Sequence, residues 1–250
     1  MARTDDERVV PGVHPVRELL RAGAPVAAVH LAAGREATDE VEEIRWLARD
    51  AGVTVNVVGR DELDRLADGV THQGVVAVGP PYPYRDVAEL LPDADGAPSL
   101  LVALDEVTDP QNLGSIARTA EAVGADGVIV PGRRTVGVTP AAEKAAAGAL
   151  AHLPVARVTN LVRTLAELGE RQVWSVGLDA DGDVAVPDCD LFTEPLVLVV
   201  GAEGRGLSRL TRERCDLLVS LPMRGRIASL NASVAAGVTL YEIRRRRDGR

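Results

Sequence analysis

Leu196-Val-Leu-Val-Val-Gly-Ala-Glu-Gly-Arg-Gly-Leu207 decides the fold. Its apolar run is too short to cross a bilayer and stops abruptly at Gly201. Gly201, Gly204 and Gly206 surround Glu203, and a polar, helix-compatible segment follows. A buried strand that breaks into glycines brings backbone N–H groups close to a ligand, because glycine lacks a Cβ and reaches positive φ cheaply. In a parallel α/β sheet, ligands sit at the carboxyl ends of the strands. The loop is no P-loop, since no Lys-Ser/Thr pair follows the glycines, and it lacks the Gly-x-Gly-x-x-Gly spacing of a dinucleotide site. Taken alone, it fits equally well a tight strand-to-helix turn that holds nothing.

Around this stretch, strands and helices alternate. Strands are predicted at Leu100–Leu104, Gly127–Val130, Val155–Val158, Val173–Leu178, Leu196–Val200 and Leu217–Leu221. Helices are predicted at Asn112–Val123, Pro140–Leu150, from an Asn160 cap to Leu168, and from about Asn231 to Arg246. Such alternation implies a parallel sheet covered on both faces. Residues 9–80 read as a smaller α/β unit. Its helices lie near His14–Leu20 and Thr38–Ala51 and after a possible Asp61 cap, and its strands at Ala28–Ala32, Thr54–Val58 and Gly74–Val78. Residues 80–99 are rich in turn residues, proline above all, as an interdomain linker would be. The organisation expected is therefore a first domain over 1–80, a linker over 81–98 and a second domain over 99–250.

A chain of 250 residues, 46% hydrophobic but only 2% aromatic, builds its core from Val, Leu and Ala. The charged N-terminus and the absence of a long apolar run predict a cytoplasmic protein without a membrane segment. Cys189 and Cys215 stand alone and His14 and His72 lie far apart, so no metal site is expected. The net charge of −9 argues against indiscriminate nucleic-acid binding. Basic surface must then be local, with Arg17 and Arg21, Arg133 and Arg134, or Arg244–Arg247 as candidates. Lys144 is the only lysine among 28 basic residues, and arginine suits bidentate phosphate recognition.

Two further clusters accompany the glycine loop. In Asp109-Pro-Gln-Asn-Leu-Gly-Ser-Ile-Ala-Arg118, Asn112 stands where a helix cap belongs, and Arg118 lies off the buried stripe on the side of Gly114 and Ser115. In the third cluster, strand Leu217–Leu221 ends in Pro222, and Ala228-Ser-Leu-Asn-Ala-Ser233 opens the terminal helix. There Ser229 and Asn231 are again ordinary cap residues when taken alone.

Together the clusters resemble one family, the SpoU (TrmH-type) RNA ribose 2′-O-methyltransferases, and within it the RlmB-like branch acting on a guanosine of 23S rRNA. Asn112 and Arg118 match the family's Asn…Arg motif, Gly201–Gly206 its Gly-x-Glu-Gly-x-Gly motif, and Ser229-Leu230-Asn231 its Ser-Leu-Asn motif. Upstream, Gly12–Val16 and His72–Val75 look like its substrate-binding domain. The resemblance implies an α/β fold: a C-terminal parallel-sheet domain with a deep trefoil knot (SPOUT type) and a small N-terminal α/β substrate-binding domain. It implies S-adenosylmethionine as cofactor, held near Val200, Gly201, Glu203, Gly204, Leu221, Pro222, Met223 and Leu230. It also implies catalysis by Arg118 with Asn112, Glu203, Ser229 and Asn231, a homodimer, and no metal. The family assigns proton removal to the arginine at position 118. A neutral guanidine at pH 7 costs on the order of 9 kcal/mol from a reference pKa of up to about 13.8, so a charged, stabilising arginine is the alternative. Two other readings stay open: the same reaction on tRNA or at an antibiotic-resistance site of 23S rRNA, and a catalytically silent RNA-binding protein.

Overall fold

The computed structural model describes residues 7–91, 98–226 and 229–249. Six residues of the expected linker, 92–97, and Ala228 of the third cluster lie outside them. By contact the chain forms two units, Met1–Pro83 with Val138–His152, and Tyr84–Gly137 with Leu153–Arg250.

The first unit runs β1 (Arg8–Pro11), α1 (Val13–Arg21), β2 (Ala28–Ala32), α2 (Asp39–Asp50), β3 (Thr54–Val58), α3 (Arg60–Leu66) and β4 (Val75–Gly79). Its sheet has the order β1-β4-β2-β3, with β4 antiparallel to both neighbours and β2 parallel to β3. Alternation along β4 splits the core: Val75 and Ala77 pack with Val16, Leu19 and Ile44, and Val76 with Leu63 and Ala67. Asp61 does not cap α3. Gly59 holds that position in an extended conformation, leaving Asp61 and Glu62 in the first turn, where they complement the helix dipole. Arg17 and Arg21 are neutralised by Glu18 and Glu43.

The second unit opens with β5 (Leu100–Asp105), α4 (Pro110–Ala122) and β6 (Gly127–Pro131). The next helix, α5 (Pro140–Ala146), belongs to the first unit, although the sequence assigns it to the second domain. It is also shorter than expected. Ala147 (φ 52°) and Gly148 (φ 103°) turn left-handed, and a separate 3-10 turn follows at Ala149–Ala151. A Cβ on Gly148 would press on the Glu18 side chain, so the break lets the chain lie close to α1.

α5 is tied to β1 by an ion pair that hydrophobic patterning cannot show. Arg8 Nε donates to Glu143 Oε1 at 2.5 Å, with both side chains buried, and the guanidinium also lies 4.7 Å from the Tyr82 ring centroid. Burial pushes the Glu143 carboxyl above the usual range, against the opposing pull of Arg8. Arg8→Met should therefore cost about 3–5 kcal/mol at pH 7, because it strands a buried carboxylate. A carboxyl whose pKa is raised on folding contributes most stability below its unfolded pKa and loses it as pH rises through the folded value. The gap between variant and wild type should thus narrow as pH falls and Glu143 takes up a proton. Urea melts at pH 7 and pH 5 with an equal gap would refute this.

The second unit begins at Tyr84, ahead of β5, with Arg85 bridged to Ala156 and a capping box of Asp86 and Glu89 starting a 3-10 turn at Val87–Leu90. The remaining elements are β7 (Val155–Val158), α6 (Leu161–Glu170), β8 (Trp174–Leu178), β9 (Val184–Ala185), β10 (Leu196–Gly201), α7 (Arg209–Arg214), β11 (Leu217–Ser220) and α8 (Ala232–Arg247). The sheet has the order β7-β6-β5-β10-β8-β11-β9, and every pairing is parallel. Its central strands β5 and β10 are buried on both faces, as a covered parallel sheet requires. α6 packs Leu161, Leu165 and Leu168 on one face, while α4 and α8 pack against each other and on β6 and β10.

Arg244–Arg247, a candidate RNA contact, is partly structural. Arg247 donates to the carbonyls of Phe192 (3.0 Å), Ser99 (3.0 Å), Glu194 (2.6 Å) and Pro98, and Arg246 to those of Cys189 (3.2 Å) and Pro187. These bonds tie the end of α8 to the backbone of residues 98–99 and 187–194.

Candidate active site

Since the strands of the second sheet are parallel, the loops at their carboxyl ends open on one edge. After β10, Ala202 and Gly206 exchange two backbone hydrogen bonds of 3.0 and 2.9 Å, closing a tight hairpin over Glu203, Gly204 and Arg205. Gly204 (φ 76°) and Gly206 (φ 67°) supply the left-handed turns. Gly201 serves another need, since a Cβ there would overlap the Gly206 carbonyl and the Leu207 amide. The far side of the hairpin is pinned by Ser208 N, which donates to the buried Asp105 carboxylate at 2.6 Å.

The three clusters meet here. Asn231 Nδ2 donates to Asn112 Oδ1 at 2.9 Å and to Glu203 Oε2 at 3.3 Å, and Asn112 Nδ2 reaches the same Glu203 oxygen at 3.4 Å. Asn231 Oδ1 meanwhile caps α8, accepting from Ser233 N at 2.9 Å and Val234 N at 3.4 Å. Asn112 is not a cap. Asp109 takes that role by accepting from Gln111 N at 2.8 Å, Pro110 fills the first helical position, and Asn112 sits inside the first turn, buried, with its amide turned to the network.

Beside the network lies a cavity of about 350 Å³ at the ends of β8, β10 and β11. Of the expected binding residues, Val200, Gly201, Glu203, Gly204, Leu221, Met223 and Leu230 line it, together with Ser229; Pro222 does not. Asn112 and Asn231 stand behind the wall through Glu203. Arg118 is outside the lining: it is exposed on α4 and makes no hydrogen bond or ion pair among the described residues.

The sequence reading missed the acidic side of the cavity. Asp179, whose side chain is 8% exposed, pairs with Arg212 at 3.3 Å, and Asp181 lies 3.8 Å from the same guanidinium. The signal was present. β8 ends in Leu178-Asp-Ala-Asp-Gly182, another apolar strand breaking into polar and glycine residues. Asp105 was likewise overlooked as the anchor of the glycine loop.

None of His14, His72, Cys189 and Cys215 lines the cavity. Buried His72 accepts from Gly74 N through Nδ1 (3.0 Å), so Nε2 donates to Asp64 (2.9 Å) and the ring fixes a turn. Cys189 and Cys215 form no disulfide, and burial pushes the Cys215 thiol up to about 12. Alkylation needs the thiolate. Iodoacetamide at pH 8 should label Cys215 far more slowly in the folded protein than in urea; equal rates would contradict the raised pKa. No group of His, Cys, Asp and Glu among the described residues has the arrangement of a metal site.

A parallel α/β unit with a cavity at its strand ends, walled by a glycine hairpin and backed by a polar network, is a ligand-binding domain of the doubly covered sheet class. The chain belongs to the SpoU rRNA methylase family, whose model matches residues 99–241, and residues 9–85 match the substrate-binding domain of RNA 2′-O ribose methyltransferases. It is 50% identical over 247 residues to a Mycobacterium sp. (strain KMS) protein named an uncharacterized tRNA/rRNA methyltransferase, covering 98% of this chain and 78% of the relative. The fold resembles the SpoU methyltransferase AviRb from Streptomyces viridochromogenes, solved with the cofactor AdoMet, at a TM-score of 0.82 and 33% identity over 98% of this chain and 92% of that one. The AdoMet-bound rRNA methyltransferase from Sinorhizobium meliloti matches at 0.79 and 27% over 96% and 88%. The A. aeolicus TrmH/SpoU tRNA modifying enzyme matches at 0.55 and 32%, over 60% of this chain and 76% of that one.

Proposed function

We propose that this protein transfers a methyl group from S-adenosylmethionine to a ribose 2′-hydroxyl of RNA, with a guanosine of 23S rRNA as target. The observation that carries the reading is the Asn112–Glu203–Asn231 network, which joins the three clusters behind one cavity wall.

The cavity suits the cofactor. Met223 and Leu230, 39% and 41% exposed, offer apolar surface for a purine, and Asp179 and Asp181 offer acceptors for ribose hydroxyls. The cofactor supplies an activated methyl group, so the protein has only to align the reactants, exclude water and stabilise charge. Glu203, held by two amides, fixes the glycine hairpin against α4 and α8, and Ser229 borders the nucleotide side. Arg118 meets the RNA as a charged group, gripping a phosphate and stabilising the ribose oxygen as its proton leaves.

A homodimer belongs to the proposal. α8 buries Ala236, Leu240 and Ile243, yet Val234, Val238 and Tyr241 form a second apolar stripe that is 50%, 50% and 59% exposed. With Ser115 and Thr119 of α4 it borders a cleft. A second copy seated there would cover the stripe and lie near the helix that carries Arg118. A trefoil knot is proposed as well; the insertion of β11 between β8 and β9, both earlier in the chain, supports it. No helix among the described residues is long and apolar enough to cross a membrane. With RNA as substrate the protein works in the cytoplasm.

Ribosomal RNA is favoured over tRNA because the similar rRNA methyltransferase aligns with nearly the whole chain, whereas the tRNA enzyme aligns with 60% of it. Incubation with tritiated S-adenosylmethionine and separate 23S, 16S and tRNA transcripts should label 23S rRNA, at a position where alkaline cleavage is then blocked. Label in tRNA alone would move the target, and no label in any RNA would end the methyltransferase reading.

A further inference from the structure

The carboxyl edge of the second sheet continues past the cavity. In the order β10-β5-β6-β7, three strand spacings of about 4.8 Å carry it some 14 Å further, to the ends of β6 and β7. There Gly132, Arg133, Arg157, Val158 and Thr159 line an open cleft of about 570 Å³. Arg157 is held ready: its guanidinium lies 5.4 Å from the Tyr84 ring centroid, and Nη2 donates to Gly132 O at 3.4 Å. The remaining donors of Arg157 and all those of Arg133 meet no carboxylate among the described residues, and both side chains are exposed.

Most exposed charge nearby is cancelled. Glu106 pairs with Arg134 (3.3 Å) and Arg205 (3.8 Å), and Arg85 pairs with Glu89 (3.3 Å). In a chain of net charge −9, two uncompensated guanidinium groups around one cleft mark a place for an anion. A ring-stacked guanidinium is a planar platform that keeps N–H donors for phosphate, a combination suited to single-stranded RNA.

We infer that this cleft is a second RNA-contact site: Arg133 and Arg157 bind phosphates of nucleotides flanking the target, so the strand runs along the carboxyl edge from β10 to β7. The inference rests on the RNA methyltransferase reading and adds the path of the substrate. The site acts on binding and leaves the chemical step alone.

The test uses the full-length protein and a fluorescein-labelled, mixed-sequence 20-nucleotide single-stranded RNA, followed by anisotropy from 50 to 200 mM salt. Arg133→Ala/Arg157→Ala should weaken binding at least about tenfold and lower the salt slope by about 1.4, which is two phosphates at 0.7 each for single strands. Arg157→Lys, which keeps the charge but loses the planar fork, should fall between. Arg171→Ala, at the opposite end of α6, should match wild type. S-adenosylmethionine affinity by calorimetry and the melting temperature should be unchanged in the double variant, which separates lost RNA contact from misfolding. Wild-type affinity and slope in a folded double variant would overturn the inference while leaving the methyltransferase reading intact. A wild-type protein that neither binds the RNA nor methylates any transcript would overturn both.

Discussion

Arg118→Ala should lose at least about a hundredfold in methyl-transfer rate while binding S-adenosylmethionine with unchanged affinity. The split follows from position: the arginine lies outside the cavity lining, exposed on α4. Removing one donor aimed at developing negative charge costs on the order of 10²–10³ in rate. A long guanidinium projecting from a helix, with no partner among the described residues, has donors to give to RNA. Arg118→Lys should recover only part of the loss, because a point charge replaces a bidentate fork. Single-turnover rates at saturating RNA, read beside cofactor calorimetry, test both halves. Full turnover by Arg118→Ala would remove Arg118 from the mechanism, and lost cofactor binding would make its role structural.

Gly201→Ala should weaken S-adenosylmethionine binding by about ten- to a hundredfold. The methyl group would enter the Gly206 carbonyl and Leu207 amide, which are backbone atoms unable to rotate away. The hairpin has little room to yield, since it is clamped by the Ala202–Gly206 bonds and the Ser208–Asp105 bond. Overpacking of this kind costs about 1–3 kcal/mol or more, and each 1.4 kcal/mol is about tenfold in affinity. Gly204→Ala is the control. Its φ of 76° makes alanine strained, but nothing lies within 4 Å of the added carbon. Strain of about 1–2 kcal/mol should lower the melting temperature and leave cofactor affinity within about tenfold. Equal affinities for Gly201→Ala and wild type would mean that the hairpin is not part of the binding wall.

Much of the architecture was legible because its signals are local. β2, β3 and β7 carry their predicted limits, since each is a short segment dominated by apolar or β-branched residues and closed by turn residues. β1 was overlooked: Arg8 and Pro11 interrupt its pattern, and Arg8 is buried only because Glu143, remote in sequence, neutralises it. The Asn112 cap was misread for a related reason. Asp109-Pro110 is the stronger start signal, and the side chain of Asn112 answers to residues 91 and 119 positions away. Asp179 and Asp181 escaped notice because a polar strand end becomes informative only when a cavity is seen against it.

Composition, spacing and the order of the three clusters determined the parallel sheet, the glycine hairpin and the residue types available for chemistry. Those properties depend on steric freedom and hydrophobic period within a few residues. The tertiary structure alone decided that Asn112, Glu203 and Asn231 share one network, that α5 joins the first unit, and that Arg118 stands outside the cavity. Each of these turns on where distant segments come to lie, and side-chain pairing over such separations has no local period for a sequence to display.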